Sequence, residues 1–530
     1  MSSIVRQKVG NNTYLYESVS FRNEGGQPRN KRTLIGKIEA ASGQVQYKPE
    51  YLDRMAACGH PIAVTPIAQS FTISDIHRSS IRDFGAFYLY QQLAEQIGLL
   101  DVLQRALPAI WEEVFNLASY LISTGDPYCY FEDWLLSTEA FPVGSMPSQR
   151  ISELLSGISG EERDNFYRMW CSLRSEAEYL ALDISSVSSY SQLIDSVEWG
   201  YNRDGENLAQ INLCLLMGYE SGYPVYQTVY GGSLKDVTTL QTTIRALRVL
   251  AGEKPIIVVM DKGFFSKKNI NAMLEEKRHI GFVIALPFTS RFAKDLVEGE
   301  KKGIDTLSKT IVNGKESLRA VTKLCRWNDG HNVYVHVYYN ARKALGIRED
   351  LYAHVVTLRE QAVNQPERCL GNPDYQKYLD IRQVEKTNGG YTVKVRENVV
   401  EEELETAGWM VVISNCVKDA KEAIKAYREK DVIEKGFLRL KNSLDLGRLR
   451  MHSETSMQNK VFIGFISLIL LSAIHKVMVE KKLYGKMTMR KLILSLSRLK
   501  LQMVNGTRIL FPVTKEQRCI YDAFGIQEPL

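Results

Sequence analysis

The stretch "KPIIVVMDKGFFSKKNINAMLEEKRHIGFVIALPF", Lys254 to Phe288, contains two short apolar runs separated by a polar run. "IIVVM" and "IGFVIAL" are continuous and rich in β-branched residues, which is typical of strands buried on both faces. The polar run that starts at Ser266 predicts a helix with Ser266 as its N-cap. Strand, helix and strand in this order predict part of an α/β domain.

The residues before this stretch continue the pattern. "YLALDISSVSSYS" predicts a strand followed by a polar turn, and "AQINLCLLMGYESGYPVYQTVYGG" predicts two strands joined at Gly222–Pro224. "DVTTLQTTIRALRVLAG" predicts a helix with Asp236 as N-cap. The complete order is three strands, a helix, a strand, a helix and a strand. It predicts an α/β fold with a mixed sheet covered by helices, and it does not fit a pure Rossmann sheet.

The residues after Phe288 interrupt this pattern. From about residue 290 to 405 the chain is polar, and its polar and apolar residues alternate as in strands. "HNVYVHVYYN" predicts a strand and "TNGGYTVKV" a hairpin, and the residues between them are predicted to be partly helical. "GWMVVISN" then returns as an apolar strand. We therefore expect a β-rich insertion inside the α/β domain.

The start of the chain differs from the rest. Residues 1 to about 65 alternate in polarity and predict strands, including a hairpin at "TLIGKIEAASGQVQY". From Ser79 to about Leu155 the apolar residues recur at helical spacing, so a helical region follows.

Composition excludes several protein classes. The eight cysteines show no Cys-x-x-Cys pair and no histidine at ligand spacing with a second cysteine, which argues against structural zinc and against a disulfide framework. "MSSIVRQKVG" has no apolar run, so we do not expect a signal peptide. The longest apolar stretch, Val461–Ile474, has 14 residues and predicts a buried core helix, because a membrane span needs about 20.

The positive charge is concentrated near the C-terminus. From Lys418 to the end there are 22 Lys and Arg against 11 Asp and Glu, a balance of +11, whereas the whole chain has +6. Such a basic region is expected of a protein that binds a polyanion. It also fits an ordinary solvated basic surface.

Three acids lie where the predicted elements would expose them, two at strand ends and one on a helix face. Asp183 ends the apolar run "YLAL", Asp261 ends "IIVVM", and Glu434 lies on a predicted helix. In an α/β sheet, sites form at the carboxyl ends of the strands. A single acid at such a place is most often a solvated turn residue. Gathered carboxylates repel one another unless a metal offsets their charge, so together the three favour a divalent metal site.

The helix predicted for "AYREKDVIEKGFLRLKNSLDLGRLR", Ala426 to Arg450, has a buried apolar face and a second, charged stripe. At about 100° per residue, Tyr427, Lys430, Glu434 and Lys441 fall on one side of a single helix. The lysines can hold a phosphate as point charges, and the tyrosine can donate a hydrogen bond to phosphate oxygen. A salt-bridged surface pair, Lys430 with Glu434, explains part of the stripe but not the tyrosine or the later lysine.

These four residues match the Tyr-x2-Arg-x3-Glu-x6-Lys signature of one group of DDE transposases, with Lys430 in place of the usual Arg. "LDISSVSSYS" is similar to the segment of that family that contains the first Asp, and "VVMDKGFFS" is similar to the segment with the second. The chain thus resembles the cut-and-paste DDE transposases of bacterial insertion sequences. The resemblance covers about residues 175–480 and implies a ribonuclease H-like catalytic domain interrupted by a β-strand insertion.

The resemblance also implies the chemistry. Asp183, Asp261 and Glu434 would be the catalytic metal ligands, and Tyr427, Lys430 and Lys441 would contact phosphate. The cofactor would be two Mg²⁺ ions, with Mn²⁺ as a substitute. The reaction would cut DNA at the ends of the element, typically through a hairpin, and then join the 3′-OH to target DNA. Trp327 is a candidate to hold a base displaced from the stack.

The resemblance implies double-stranded DNA as the partner, namely the terminal inverted repeats and the target, bound by a homodimer. It gives no reason to expect a membrane partner. We expect a cytoplasmic bacterial protein that joins the nucleoid when it binds DNA. We expect a β-rich N-terminal region (1–70) and a helical region (71–175), and both are candidates for DNA contact. A catalytic domain in two parts (176–289 and 406–480) should follow, with the insertion (290–405) between the parts. The chain should end in a basic helical tail (481–530).

Two other functions remain open from the sequence. A metal-dependent nuclease on the same fold would cut DNA without strand transfer. A transposase-derived DNA-binding protein would be catalytically silent, although the presence of all three acids argues against it.

Overall fold

The computed structural model describes residues 2–9, 12–23, 26–38, 45–57, 75, 79–173, 178–251, 256–275, 280–313, 316–327, 330–383, 390–444 and 446–529. The chain forms two compact units, Met1–Arg78 and Ser79–Leu530.

In its described residues, the first unit contains an antiparallel sheet and the helix α1 (Pro49–Ala57). Its strands pair in sequence order, and Leu15, Ile35 and Tyr51 form its buried core. The predicted β-rich start is confirmed, and the hairpin predicted up to Tyr47 is present, although its turn (39–44) lies outside the described residues. The elements are β1 (Ser2–Val9), β2 (Asn12–Arg22), β3 (Pro28–Ile38), β4 (Val45–Tyr47) and α1 (Pro49–Ala57).

The second unit begins with a short strand and a group of helices, as the helical periodicity predicted. The last of these helices starts with a capping box, in which Ser159 and Glu162 satisfy each other's backbone N–H groups. The elements are β5 (Ser80–Asp83), α2 (Gly85–Gln96), α3 (Leu99–Ala106), α4 (Trp111–Thr124), α5 (Phe131–Ser137), α6 (Ser148–Gly157) and α7 (Gly160–Ser172).

A mixed sheet follows, which confirms the predicted α/β fold. In the order β10-β9-β6-β7-β8, strands β6, β9 and β10 run parallel, and β7 and β8 run antiparallel to their neighbours. This is the ribonuclease H-like arrangement that the resemblance implied. The elements are β6 (Tyr179–Ser188), β7 (Gln210–Gly218), β8 (Pro224–Gly231), α8 (Asp236–Ala251), β9 (Ile256–Met260), α9 (Lys267–Glu275) and β10 (Ile280–Ala285).

The interval 290–405 extends this sheet and adds helices. β16 pairs with β10, and β13, β12 and β11 continue outward, so the sheet has nine strands among the described residues. The remaining elements of the interval surround a separate small core that includes Val355 and Tyr378. The elements are α10 (Arg291–Glu300), β11 (Thr310–Asn313), β12 (Glu316–Arg326), β13 (Asn332–Tyr339), α11 (Ala341–Asn364), α12 (Pro366–Cys369), α13 (Pro373–Tyr378), β14 (Leu379–Gln383), β15 (Tyr391–Val395), α14 (Glu397–Leu404) and, after it, β16 (Trp409–Ser414).

The prediction of one continuous helix over Ala426–Arg450 is wrong. The chain forms α15 (Ala420–Arg428) and α16 (Asp431–Ser443), and at the break the N–H of Ile433 bonds to the carbonyl of Lys430 at 3.0 Å in a tighter i→i−3 turn. α15 packs on β10, β12 and β16, whereas α16 packs on β6 and β7. Because a sheet twists, one straight helix cannot follow both parts.

The predicted core helix is confirmed. It is α17 (Glu454–Glu480), which is apolar and long enough to cross a membrane by composition, but 83% of its most apolar window is buried inside the protein. The chain ends with α18 (Met489–Ser497), β17 (Lys500–Val504), β18 (Thr507–Leu510) and α19 (Lys515–Ala523), and β17 pairs with β5. The region predicted as a helical tail therefore contains a β-hairpin as well.

Candidate active site

Asp261 lies immediately after β9, accepts two hydrogen bonds and forms an ion pair. Its Oδ1 accepts from the hydroxyl of Tyr427 at 2.7 Å and from the backbone N–H of Lys262 at 2.8 Å, and its Oδ2 lies 3.3 Å from Lys430 Nζ. Burial acts to raise the pKa of Asp261, but Tyr427, Lys430 and the backbone N–H outweigh it and lower the pKa. Asp261 is therefore held in its ionised form.

Asp183 lies on the adjacent strand, but not at its end. β6 continues to Ser188, whereas β9 stops at Met260, so the expectation that Asp183 ends its strand is wrong. Leu182 pairs with Met260 in parallel register, which places Asp183 beside Asp261. Burial raises the pKa of Asp183 to about 6 and Asp261 adds to the rise, while the N–H of Ile184, Lys430 and Arg203 act to lower it.

Glu434 reaches the same place from α16. Its Oε1 lies 4.0 Å from Lys430 Nζ, and its side chain is 56% exposed. Lys430 thus stands between Asp261 and Glu434, with its own side chain 22% exposed. Burial is the largest cause that raises the pKa of the Tyr427 phenol, and the negative charges of Asp261, Asp183 and Glu434 raise it further. All three acids therefore act on this one hydroxyl.

The break between α15 and α16 positions these side chains. Tyr427 is in the last turn of α15, Lys430 lies in the break, and Glu434 is in the first turn of α16. Lys430 Nζ also lies 5.4 Å from the centre of the Tyr427 ring. The turn directs a tyrosine, a lysine and a glutamate from consecutive elements toward the end of β9.

Lys441 pairs with a fourth acid, Asp204. Its ammonium pairs with Asp204 Oδ2 at 2.6 Å, in the connection between β6 and β7, and its side chain is 16% exposed. The structure therefore places Lys441 against an acid of its own chain, and its phosphate contact remains a prediction.

Trp327 packs among other side chains at the end of β12. Its indole N–H donates to Asn271 Oδ1 at 2.9 Å, and its ring meets those of Phe265 and Phe292 edge-on. Phe265 follows Asp261 by four residues, so its contact with Trp327 places Trp327 near the site. The Trp327 ring is partly buried. The role of Trp327 in holding a base remains a prediction.

Comparison with known proteins bears on this site. Residues 175–470 match the profile of the family described as "Transposase DDE domain", which is more than half of the 530 residues. The chain belongs to the transposase DDE domain family. The matched range contains the predicted site residues Asp183, Asp261, Trp327, Tyr427, Lys430, Glu434 and Lys441.

Neither the solved structures nor the curated protein sequences identify a substrate for this chain. The cryo-EM structure of the piggyBac transposase synaptic complex with hairpin DNA is similar over 91% of this chain and 82% of that chain, with 10% sequence identity and a TM-score of 0.36. At that score the likeness is loose and says nothing about the substrate of this DDE-family chain. No curated protein sequence matches the chain.

The donor set of this DDE-family site fits a hard divalent cation. Asp183, Asp261 and Glu434 offer only carboxylate oxygens, the ligands that Mg²⁺ prefers. Asp183 and Asp261 are neighbouring acids, and the raised pKa of Asp183 shows that burial and its neighbour disfavour its charged form, as is expected where a cation offsets the charge. Within the described ranges, no three such side chains already stand in ligand positions around one point, and Lys430 lies between two of the acids.

One contributor to the site was missed from the sequence. Arg203 lies in the long connection after β6, and its charge acts to lower the pKa of Asp183. Its position depends on how that connection folds back, for example through the backbone N–H of Arg203, which donates to Ser186 Oγ at 3.2 Å. No local sequence pattern marks such a contact.

Proposed function

We propose that the chain is a DNA transposase that cuts at the ends of an insertion sequence and joins the freed 3′-OH to target DNA. The observation that supports this proposal best is the convergence of Asp183, Asp261 and Glu434 on Lys430 and Tyr427, within the range that matches the transposase DDE domain family.

In this proposal Asp183, Asp261 and Glu434 are the catalytic residues and hold two Mg²⁺ ions, for which Mn²⁺ is a substitute. Bound divalent ions would activate the attacking oxygen and stabilise the leaving oxygen of a phosphodiester. Tyr427 keeps Asp261 ionised and oriented by donating its hydroxyl proton in a hydrogen bond. Lys430, which pairs with acids in this structure, can turn its ammonium toward a phosphate when DNA is bound.

The partners that we propose are the terminal repeats and the target DNA, bound by a homodimer that pairs the two ends. Exposed cations on β3 (Arg29, Lys31 and Arg32) are candidates for end contact within the first unit. Cleavage through hairpin ends, with Trp327 holding the displaced base, and a cytoplasmic location are parts of the same proposal.

The test uses duplex DNA taken from the sequence that flanks this coding region, incubated with the full chain and Mg²⁺. We expect cleavage at the element ends, hairpin products, and joining of pre-cut 3′-OH ends to a plasmid. Asp183→Asn, Asp261→Asn and Glu434→Gln should each lose both steps. Asp431→Asn is the matched control, because Asp431 is an exposed acid on the same helix as Glu434 and pairs with Lys435.

The outcomes separate the alternatives. Cleavage without joining of pre-cut ends would mark a metal-dependent nuclease. DNA binding with no cleavage by the unmodified chain, in Mg²⁺ or Mn²⁺, would mark a silent DNA-binding protein. Cleavage by Asp183→Asn at the rate of the unmodified chain would refute the metal site.

A further inference from the structure

A basic cavity lies on the same edge of the sheet as the candidate active site. A cavity of about 720 Å³ opens where the start of α11 meets β12 and the end of α15. Four basic side chains line it, Arg319, Arg342, Lys343 and Arg428, together with one acid, Glu316. We refer to this cavity as the basic pocket.

The charge of the basic pocket is only partly offset. Arg428 pairs with Glu316, and Arg319 Nε lies 2.8 Å from Asp305 Oδ1. Arg342 and Lys343 are exposed, and within the described part of the chain neither side chain has an ion pair or a hydrogen bond. Two positive charges therefore face the cavity without a carboxylate partner.

The position of these two cations is electrostatically unfavourable in the protein alone. Arg342 and Lys343 are in the first turn of α11, a helix of 24 residues that has no acidic residue in that turn. The N-terminal end of a helix is its positive end, where acids are favoured and cations are not. Asn340 caps the helix by accepting from the backbone N–H of Lys343 at 2.9 Å, a role that the side chains of Arg342 and Lys343 cannot fill because they only donate hydrogen bonds. An anion in the basic pocket would relieve this repulsion.

The sheet register places the basic pocket on the same edge as the carboxylates. Met260 is level with Ile284, Ile413 and Val335 across β9, β10, β16 and β13. Asn340 therefore lies about three strand spacings, or roughly 14 Å, across the sheet from Asp261 and about 13 Å further along the strands. The direct separation is therefore roughly 20 Å.

α15 links the two places directly. Tyr427 donates its hydroxyl hydrogen bond to Asp261, and the next residue, Arg428, pairs with Glu316 at the wall of the basic pocket. A strand whose scissile phosphate lies at Asp261 can thus have later phosphates at the basic pocket.

We propose that the basic pocket binds the phosphodiester backbone of the DNA that is held at the active site, through Arg342 and Lys343. This inference rests on the proposed function, because it takes DNA as the substrate. The ligand class is a backbone phosphate, read by charge and not by base sequence.

The test compares two double variants of the full chain that remove the same charge from the same helix. Arg342→Gln/Lys343→Gln changes the basic pocket, and Arg348→Gln/Arg359→Gln removes two exposed cations of α11 that do not line it. Binding of pre-cut end DNA is measured by fluorescence anisotropy between 50 and 300 mM salt. Each lost phosphate contact lowers the slope of log K against log salt by about 0.9, so the pocket variant should be shallower by about 2.

The results separate this inference from the proposed function. The basic pocket is supported if Arg342→Gln/Lys343→Gln (the pocket pair) has a shallower salt slope than the unmodified chain. Arg348→Gln/Arg359→Gln (the control pair) should keep the slope of the unmodified chain. Equal salt slopes for the two pairs would overturn the basic pocket. The transposase proposal would still stand if the unmodified chain cleaves end DNA. If the unmodified chain binds no DNA, both the basic pocket and the transposase proposal are overturned. Thermal shifts with inorganic phosphate or ATP complete the test: a shift that the pocket pair abolishes, without any change in the DNA slope, would assign the pocket to a small anion. Melting curves of both pairs check that they fold.

Discussion

Asp183→Asn should stabilise the metal-free protein while it abolishes DNA cleavage. The pKa of Asp183 is about 6 in the fold, against an ordinary value of 3.8. At about 1.4 kcal/mol per pH unit, this difference means that keeping the carboxylate charged costs the folded state roughly 3 kcal/mol above pH 7. The neutral amide of Asn has the same shape and avoids that cost.

The sign of the pH dependence follows from the raised pKa. A carboxyl group whose pKa is higher in the folded state gives its full stabilisation below its unfolded pKa, near 4, and this is lost as the pH rises through about 6. The difference in stability between Asp183→Asn and the unmodified chain should therefore be near zero at pH 4 and complete above pH 7.

The assay is thermal unfolding in EDTA at several pH values. For a unit of about 450 residues, an unfolding entropy of about 2.1 cal/mol/K per residue converts 3 kcal/mol into a rise in Tm of about 3 °C. Asp431→Asn, which removes an exposed acid from the first turn of α16, should lower Tm by no more than about 1 °C. Added Mg²⁺ at about 100 times its Kd should stabilise the unmodified chain by about 2.7 kcal/mol and Asp183→Asn by much less. A Tm of Asp183→Asn at or below that of the unmodified chain, at pH 7.5 in EDTA, would show that the fold does not disfavour the charged form of Asp183.

Four further predictions concern the site and the core. Lys430→Met removes the ammonium that Asp261 and Glu434 share and should lower the rate of end cleavage about 100-fold in a gel assay, whereas Lys430→Arg should keep most of it. Tyr427→Phe removes a hydrogen bond that lowers the pKa of the Asp261 carboxyl, so at pH 7 the free energy of unfolding should fall by about 1.5–3 kcal/mol, measured as a lower denaturant midpoint. Trp327→Ala should reduce hairpin products relative to first-strand nicks, and equal ratios would exclude Trp327 as the base-holding residue. Phe462→Ala opens a cavity beside the buried α17 and should cost about 3–5 kcal/mol of unfolding free energy, measured as a lower denaturant midpoint.

The strands of the catalytic sheet were predictable because their signal is local. "IIVVM" and "IGFVIAL" are continuous apolar runs, and β9 and β10 occupy them and are buried. Asp261 follows the first run directly, so its place at the end of a strand needed no tertiary information. Asp183 was less predictable, because "DISSVS" is polar by composition yet continues β6 through pairing with β7.

The contacts around the acids depend on long-range packing that local periodicity does not contain. The sequence spacing of Tyr427, Lys430 and Glu434 suggested one helical stripe, yet the chain breaks at Lys430 because two parts of a twisted sheet hold α15 and α16. The partner of Lys441, Asp204, is 237 residues away, so no helical spacing reveals it. The basic pocket likewise joins residues of three elements that only the fold brings together.

The break at Lys430 gives the site its charge balance. Asp183 on β6 and Asp261 just after β9 lie side by side, and their repulsion adds to the cost of burying Asp183. Lys430 lowers the pKa of both acids, and it can do so because the turn between α15 and α16 brings its ammonium over the end of β9. The same side chain also lies near Glu434, so a single cation links acids from two strands and a helix. A cation that binds these acids must compete with Lys430, and a phosphate that attracts Lys430 would weaken that competition. Metal binding and DNA binding at this site should therefore favour each other.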